Sequence, residues 1–124
     1  MAQVALKAFP DTPLPPISTA AAFDRAYLAG VTFGDRSLER ELLELFERQT
    51  TLFLERMRGA EAAVVAALAH TLKGSAAGIG AFGVAEAAAA LECAAGLRER
   101  NAAMDALAQA AGCARAEIAV MLAG

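Results

Sequence analysis

Apolar residues recur at three- and four-residue steps along most of this chain, and almost nowhere do they alternate. Through LERELLELFERQTTLFLERM the positions Leu38, Leu42, Leu45, Gln49, Leu52, Phe53 and Arg56 fall at helical spacing. Asp35 or Ser37 stands ahead of this run as an N-cap, Glu39 and Glu41 suit the positive end of the helix dipole, and Gly59 ends it. Upstream, ISTAAAFDRAYLAG predicts a short helix capped by Ser18 or Thr19 and closed by Gly30, with VTFGD as a connector. Downstream, a third helix is predicted over about 60–78 and a fourth from about 83 to 101. A fifth fills AAMDALAQAAGCARAEIAVML, and Gly96 and Gly112 are soft spots inside the last two. Long helices with short connections predict an all-α, antiparallel four-helix bundle preceded by a short N-terminal helix. Residues 1–16 hold all four prolines and read as an irregular arm, leaving 17–124 as a single bundle domain.

Composition strengthens the helical reading. Of the 124 residues 34 are alanine, and 26 of these follow Gly59, where β-branched residues are few. Alanine is the best helix former and offers a strand little. The chain is long enough to bury a core without staples. A net charge of −3 argues against nucleic acid, which requires a basic face. Cys93 and Cys113 show no CxxC spacing; two reduced cysteines in or near the core are favoured over a disulfide. No 18-residue apolar run is free of charge and no signal-peptide pattern opens the chain, so a soluble, cytoplasmic protein away from membranes is expected.

The single histidine, His70, opens HTLKGSAAGIGAFG, a stretch almost bare of side chains. Each helical residue advances about 100°, so Val65, Leu68, Leu72 and Ile79 form the buried stripe of the third helix. His70 lies roughly 160–200° from Leu68 and Leu72 and therefore faces solvent. Ala63, Ala66, Ala67, Lys73, Gly74 and Ala77 fall within about 60° of it. A lone histidine is ordinarily a plain surface residue or a satisfied core group. Here the outward face, which would usually carry Glu, Lys and Arg, is smooth apart from one imidazole and one ammonium. That is the character of a docking surface, where another protein comes close to a titratable nucleophile. Gly74 in mid-helix costs roughly 1 kcal/mol against alanine, which suggests that side-chain volume is unwelcome beside the histidine.

Other motifs carry less. GIGAFG satisfies G-x-G-x-x-G, but that pattern binds a dinucleotide only after a β-strand, and here it reads as a tight turn between helices. KGS lacks the preceding glycines of a P-loop. One histidine and two scattered cysteines make no zinc site. Ser75 lies about 140° round the helix from His70, which disfavours a Ser-His-Asp arrangement. LRERN reads as a solvated face, the alternative being that its arginines meet an acidic partner.

AHTLKGSAAGIGA, followed ten residues later by Leu91 and Glu92, resembles the histidine-containing phosphotransfer (HPt) domain, with its His-x-Leu-Lys-Gly-Ser-Ala motif and Gly-Ala turn. The resemblance runs from about Leu38 to Ala95. It implies that His70 accepts a phosphoryl group, that Lys73 steadies the phosphate and that Gly74 lets a receiver domain approach. Glu92 falls where relatives often place a polar side chain that orients the imidazole. RGAEAAV departs from the family in lacking an aspartate cap. The implied function is that of a phosphorelay intermediate, which takes phosphoryl from a receiver aspartate and passes it to another response regulator. Its partners would be receiver domains and a hybrid histidine kinase. It would have no ATP-dependent kinase activity and no cofactor or metal of its own, the receiver bringing magnesium. A monomer is expected, and Met1 with its terminal arm favours a free-standing shuttle. The rival reading is a catalytically silent helical adaptor that binds a partner through the same His70 face.

Overall fold

The computed structural model describes residues 23–124, which form five helices and no strand. These are α1 (Arg25–Val31), α2 (Arg36–Met57), α3 (Ala62–Gly78), α4 (Phe82–Glu92) and α5 (Leu97–Ala123). Neighbours pack in a closed ring, α2 on α3, α3 on α4, α4 on α5 and α5 back on α2. This is the four-helix bundle expected from the sequence, with α1 as an added short helix.

The bundle begins with two aspartate caps. Asp24 accepts from the Tyr27 amide at 3.0 Å and starts α1. The caps expected at Ser18 or Thr19 lie outside the described residues. α1 also runs past Gly30, and closure falls to Thr32, whose amide and hydroxyl both donate to the Leu28 carbonyl. The chain then turns through Phe33 and Gly34, with φ of 55° and 75°. Asp35, rather than Ser37, caps α2, accepting from the Ser37 and Leu38 amides at 2.9 and 3.1 Å. Gly59, with φ of 72°, ends α2 as expected.

The buried faces are shifted from those the spacing suggests. α2 buries Leu43, Phe46, Thr50 and Met57, while Leu38, Leu45 and Leu52 are exposed. Leucines ring this helix on more than one side, and only contact with α3 and α5 selects among them. α3 buries Val65, Ala69, Leu72 and Ala76, with Ile79 just beyond its end; Leu68 is only half-buried. Alanine at Ala69, Ala76 and Ala88 has no measurable exposure, so close helix contact does the burying where large side chains are missing.

The fourth helix stops at Glu92, well short of 101. Gly96 is no soft spot inside it but the break itself, with φ of 85° as the N-cap of α5, and LRERN becomes the first turn of α5. Gly112 does lie inside α5, on its exposed side. Cys93 and Cys113 are both free and exposed, not core residues: Cys93 follows the end of α4 and Cys113 sits on the outer side of α5. α5 is long and apolar enough to cross a membrane by length and composition alone, a property it owes to alanine. Its inner side packs Leu107, Ala111, Ala114 and Ile118 into the bundle.

α1 clamps the α3–α4 turn. The Asp24 amide donates to the Gly80 carbonyl at 2.8 Å, and the Tyr27 and Phe82 rings meet edge to face with centroids 5.3 Å apart. A Cβ on Gly80 would lie 2.9 Å from the Asp24 carbonyl oxygen, and φ there is 85°. The G-x-G-x-x-G stretch is therefore a tight interhelical turn, and its middle glycine is required by geometry. Arg25 also reaches Glu117 of α5 at 3.3 Å.

Candidate functional site

The α3–α4 turn sets the register of the two helices that carry the site. His70 and Glu92 are 22 residues apart with Ala81 at the midpoint, so an antiparallel helical hairpin brings them level. Lys73, one turn along from His70 on α3, faces the same carboxylate. The three side chains close into one cluster. His70 Nδ1 lies 2.7 Å from Glu92 Oε2, and Lys73 Nζ donates to Glu92 Oε1 at 2.9 Å.

The cluster fixes which ring nitrogen carries the shared hydrogen. The Lys73 hydrogen bond, with that of His70 second, holds the Glu92 carboxyl below its ordinary range, against a smaller opposing effect of desolvation. An ionised carboxylate only accepts, so the hydrogen between the two groups sits on Nδ1. In the neutral ring this leaves the Nε2 lone pair free. The imidazole is well exposed, with 67 % of its side-chain surface open, against 26 % for Glu92. One ring nitrogen is tethered and the other is presented to whatever approaches α3.

The surroundings are as smooth as the sequence suggests. Ala63, Ala67 and Gly74 are exposed, and Ala66, Lys73 and Ala77 are half-buried beside them. A Cβ at Gly74 would touch nothing within 4 Å. The face also includes Thr71, whose hydroxyl donates back to the Ala67 carbonyl at 3.2 Å and so has its polarity partly satisfied. Thr71 lies about 100° round α3 from His70, which put it outside the face drawn from the sequence. Ser75 is turned away from the cluster and lines an open groove with Leu42, Leu45, Phe46, Gln49 and Ile79 between α2 and α3. Among the described residues no group of three His, Cys, Asp or Glu side chains is placed to hold a metal ion.

The chain matches the Hpt domain over residues 39–123, well over half its length, and belongs to that family. Membership places it in histidine phosphotransfer within two-component phosphorelays, where Hpt domains in general interact with receiver domains. Among curated proteins and solved structures, none matches the chain significantly.

Proposed function

We propose that this protein carries a phosphoryl group on His70 Nε2, taking it from the aspartyl phosphate of one receiver domain and giving it to the aspartate of another. The observation that carries this reading is the tethered, outward imidazole: Nδ1 is occupied by Glu92 at 2.7 Å while the ring is two-thirds open to solvent. Nε2 attacks phosphorus as the bond to the aspartyl oxygen breaks, and in-line positioning supplies much of the rate. The receiver brings the aspartate and magnesium; this chain brings the nucleophile, a cation at Lys73 and a surface without obstruction. Lys73 needs only to turn from Glu92 to meet a phosphoryl oxygen. Ala63, Ala66, Ala67, Gly74 and Ala77 form the floor on which the receiver sits. The protein acts in the cytoplasm, and its donors include the receiver of a hybrid kinase.

The test is a panel of purified receiver domains, each phosphorylated with acetyl phosphate in magnesium and mixed with the protein. Acid-labile, base-stable label is expected on the wild type and none on His70→Gln, while ATP alone labels neither. Undiminished labelling of His70→Gln removes the assignment. Receiver binding with no label on any protein favours the silent adaptor.

A further inference from the structure

Contact with α3 and α5 buries one side of α2 and leaves a second apolar stripe on it unpartnered. Leu38, Leu42, Leu45, Gln49 and Leu52 follow one another at steps of four, three, four and three residues. That is the spacing of a coiled-coil seam, kept up over two heptads. The stripe is open along its length. Leu38, Leu45 and Leu52 are 37, 55 and 49 % exposed, and Leu42 and Gln49 are half-buried. Beside it runs the groove between α2 and α3, lined also by Phe46 and Ile79. Scattered exposed leucines are ordinary, whereas a continuous row of them on one helix marks an interface. We propose that a second copy of this chain covers the stripe, the two α2 helices packing antiparallel about a two-fold axis at the midpoint of Leu42 and Leu45.

The charges beside the stripe select both the second copy and its direction. Glu41, Arg48 and Glu55 stand at seven-residue intervals along one flank, all exposed. Among the described residues, none of the three makes an ion pair within its own chain. Antiparallel packing sets this flank against itself. With Leu42 facing Leu45 of the second copy, Glu41 meets Arg48 of the second copy, and the two-fold axis repeats the pair. Leu42 and Leu45 fill the central layers, and Leu38 meets Gln49 in the outer ones. Other registers fail. With Leu42 facing Leu52, Glu41 meets Glu55 and Arg48 meets its own counterpart. With Gln49 facing Leu52, Arg48 regains Glu55, but Arg56 is forced against Leu45 inside the seam. Parallel packing sets the charged flank against Phe46 and Phe53 and forms no ion pair. One register alone combines apolar layers with matched charge.

The same register gives a use to another exposed apolar group. Phe33, in the turn ahead of α2, is 91 % exposed and holds a φ of 55°. Setting Leu42 against Leu45 carries Phe33 to the level of Leu54 of the second copy, where its ring covers the exposed Leu52. The two helices overlap over residues 36–51 of each, a seam of about 24 Å.

The interface leaves the His70 face free. Ser75 and Ile79, which line the groove, lie about 140° and 180° round α3 from His70. The pair therefore presents two open imidazoles, one on each copy. The pairing does not depend on His70 carrying phosphoryl, so either reading stands or falls without the other.

Sedimentation equilibrium of the full chain at low salt, from low to high micromolar concentration, tests the pairing. Wild type is expected to show a reversible monomer–dimer equilibrium. Leu45→Glu sets a carboxylate beside the axis in both copies and should weaken the dimer about a hundredfold or more. Its helical circular dichroism should be unchanged, because Leu45 is more than half exposed in the single chain. Glu41→Arg and Arg48→Glu should each weaken the dimer about tenfold by setting like charges across the axis. Combining Glu41→Arg with Arg48→Glu should restore the wild-type constant. A combined variant no tighter than Arg48→Glu alone overturns this register. A monomer at every concentration, or a dimer indifferent to Leu45→Glu, overturns the proposal altogether. If wild type is monomeric and Leu45→Glu slows phosphoryl transfer from a receiver, the stripe belongs to the receiver and not to a second copy.

Discussion

Replacing Gly74 by glutamine separates the demands of docking from those of folding. Gly74 lies about 40° round α3 from His70, on the open side of the helix. A Cβ built there meets nothing within 4 Å, and the backbone is ordinary helix, so a side chain projects into solvent without strain. Glycine is about 0.8–1.0 kcal/mol worse than alanine in a helix and glutamine only slightly worse, so the change should gain roughly 0.5 kcal/mol. For a domain of this size that corresponds to about 2–4 °C in Tm. The effect on transfer has the opposite sign. The receiver's aspartyl phosphate must come within about 3 Å of Nε2, and a displacement of about 1 Å can slow such a reaction a hundredfold. We expect Gly74→Gln to melt at the same or a higher temperature, followed by circular dichroism, and to accept phosphoryl from a labelled receiver at least tenfold more slowly. Gly74→Ala, which adds only a methyl group, should fall between. Leu72→Gln is the contrast: Leu72 has no exposed surface, and burying an unpaired amide there costs about 2 kcal/mol or more with a corresponding drop in Tm. A lower melting temperature for Gly74→Gln, or an unchanged transfer rate, would refute the docking argument at its central residue.

Other predictions probe the rest of the molecule. Lys73→Ala should slow phosphoryl transfer several-fold and leave the melting temperature within a degree or two, as measured by rapid-quench labelling and thermal melts; an unchanged rate makes Lys73 a plain partner of Glu92. Gly80→Ala places a Cβ 2.9 Å from the Asp24 carbonyl oxygen at a φ of 85°, so a loss of about 1–3 kcal/mol is expected in urea unfolding. Tyr27 is the sole tyrosine and there is no tryptophan, so intrinsic fluorescence should also report α1 loosening from the turn. Because the folded Glu92 carboxyl titrates below its ordinary value, held there first by Lys73 and then by His70, it favours the native state above the unfolded-chain value. That contribution is lost as pH falls through the lowered folded value. Glu92→Gln should therefore melt with a shallower acid dependence below about pH 4.5, the wild-type and variant curves converging toward the acid end.

Much of this was legible in the chain because helices carry their own local signals. Asp35 caps α2 through its neighbours' amides, Gly59 stops it with a left-handed residue, and alanine content makes the second half helical whatever it packs against. The exposure of His70 followed from angle alone, since any helix that buries Leu72 turns His70 outward. Elsewhere the pattern was silent. In α4 and α5 alanine occupies inner and outer faces alike, so periodicity could not separate two helices meeting at Gly96, and the break appears only as a φ of 85°. Along α2 leucines point to several sides, and contact with α3 and α5 chose Leu43 and Phe46 over Leu38 and Leu45. The sequence by itself determined a helical bundle, an exposed imidazole and a bare face around it. Tertiary structure alone brought Glu92 to His70 and Lys73, because two groups 22 residues apart meet only through the register of the turn between their helices, and Gly80 under α1 sets that register.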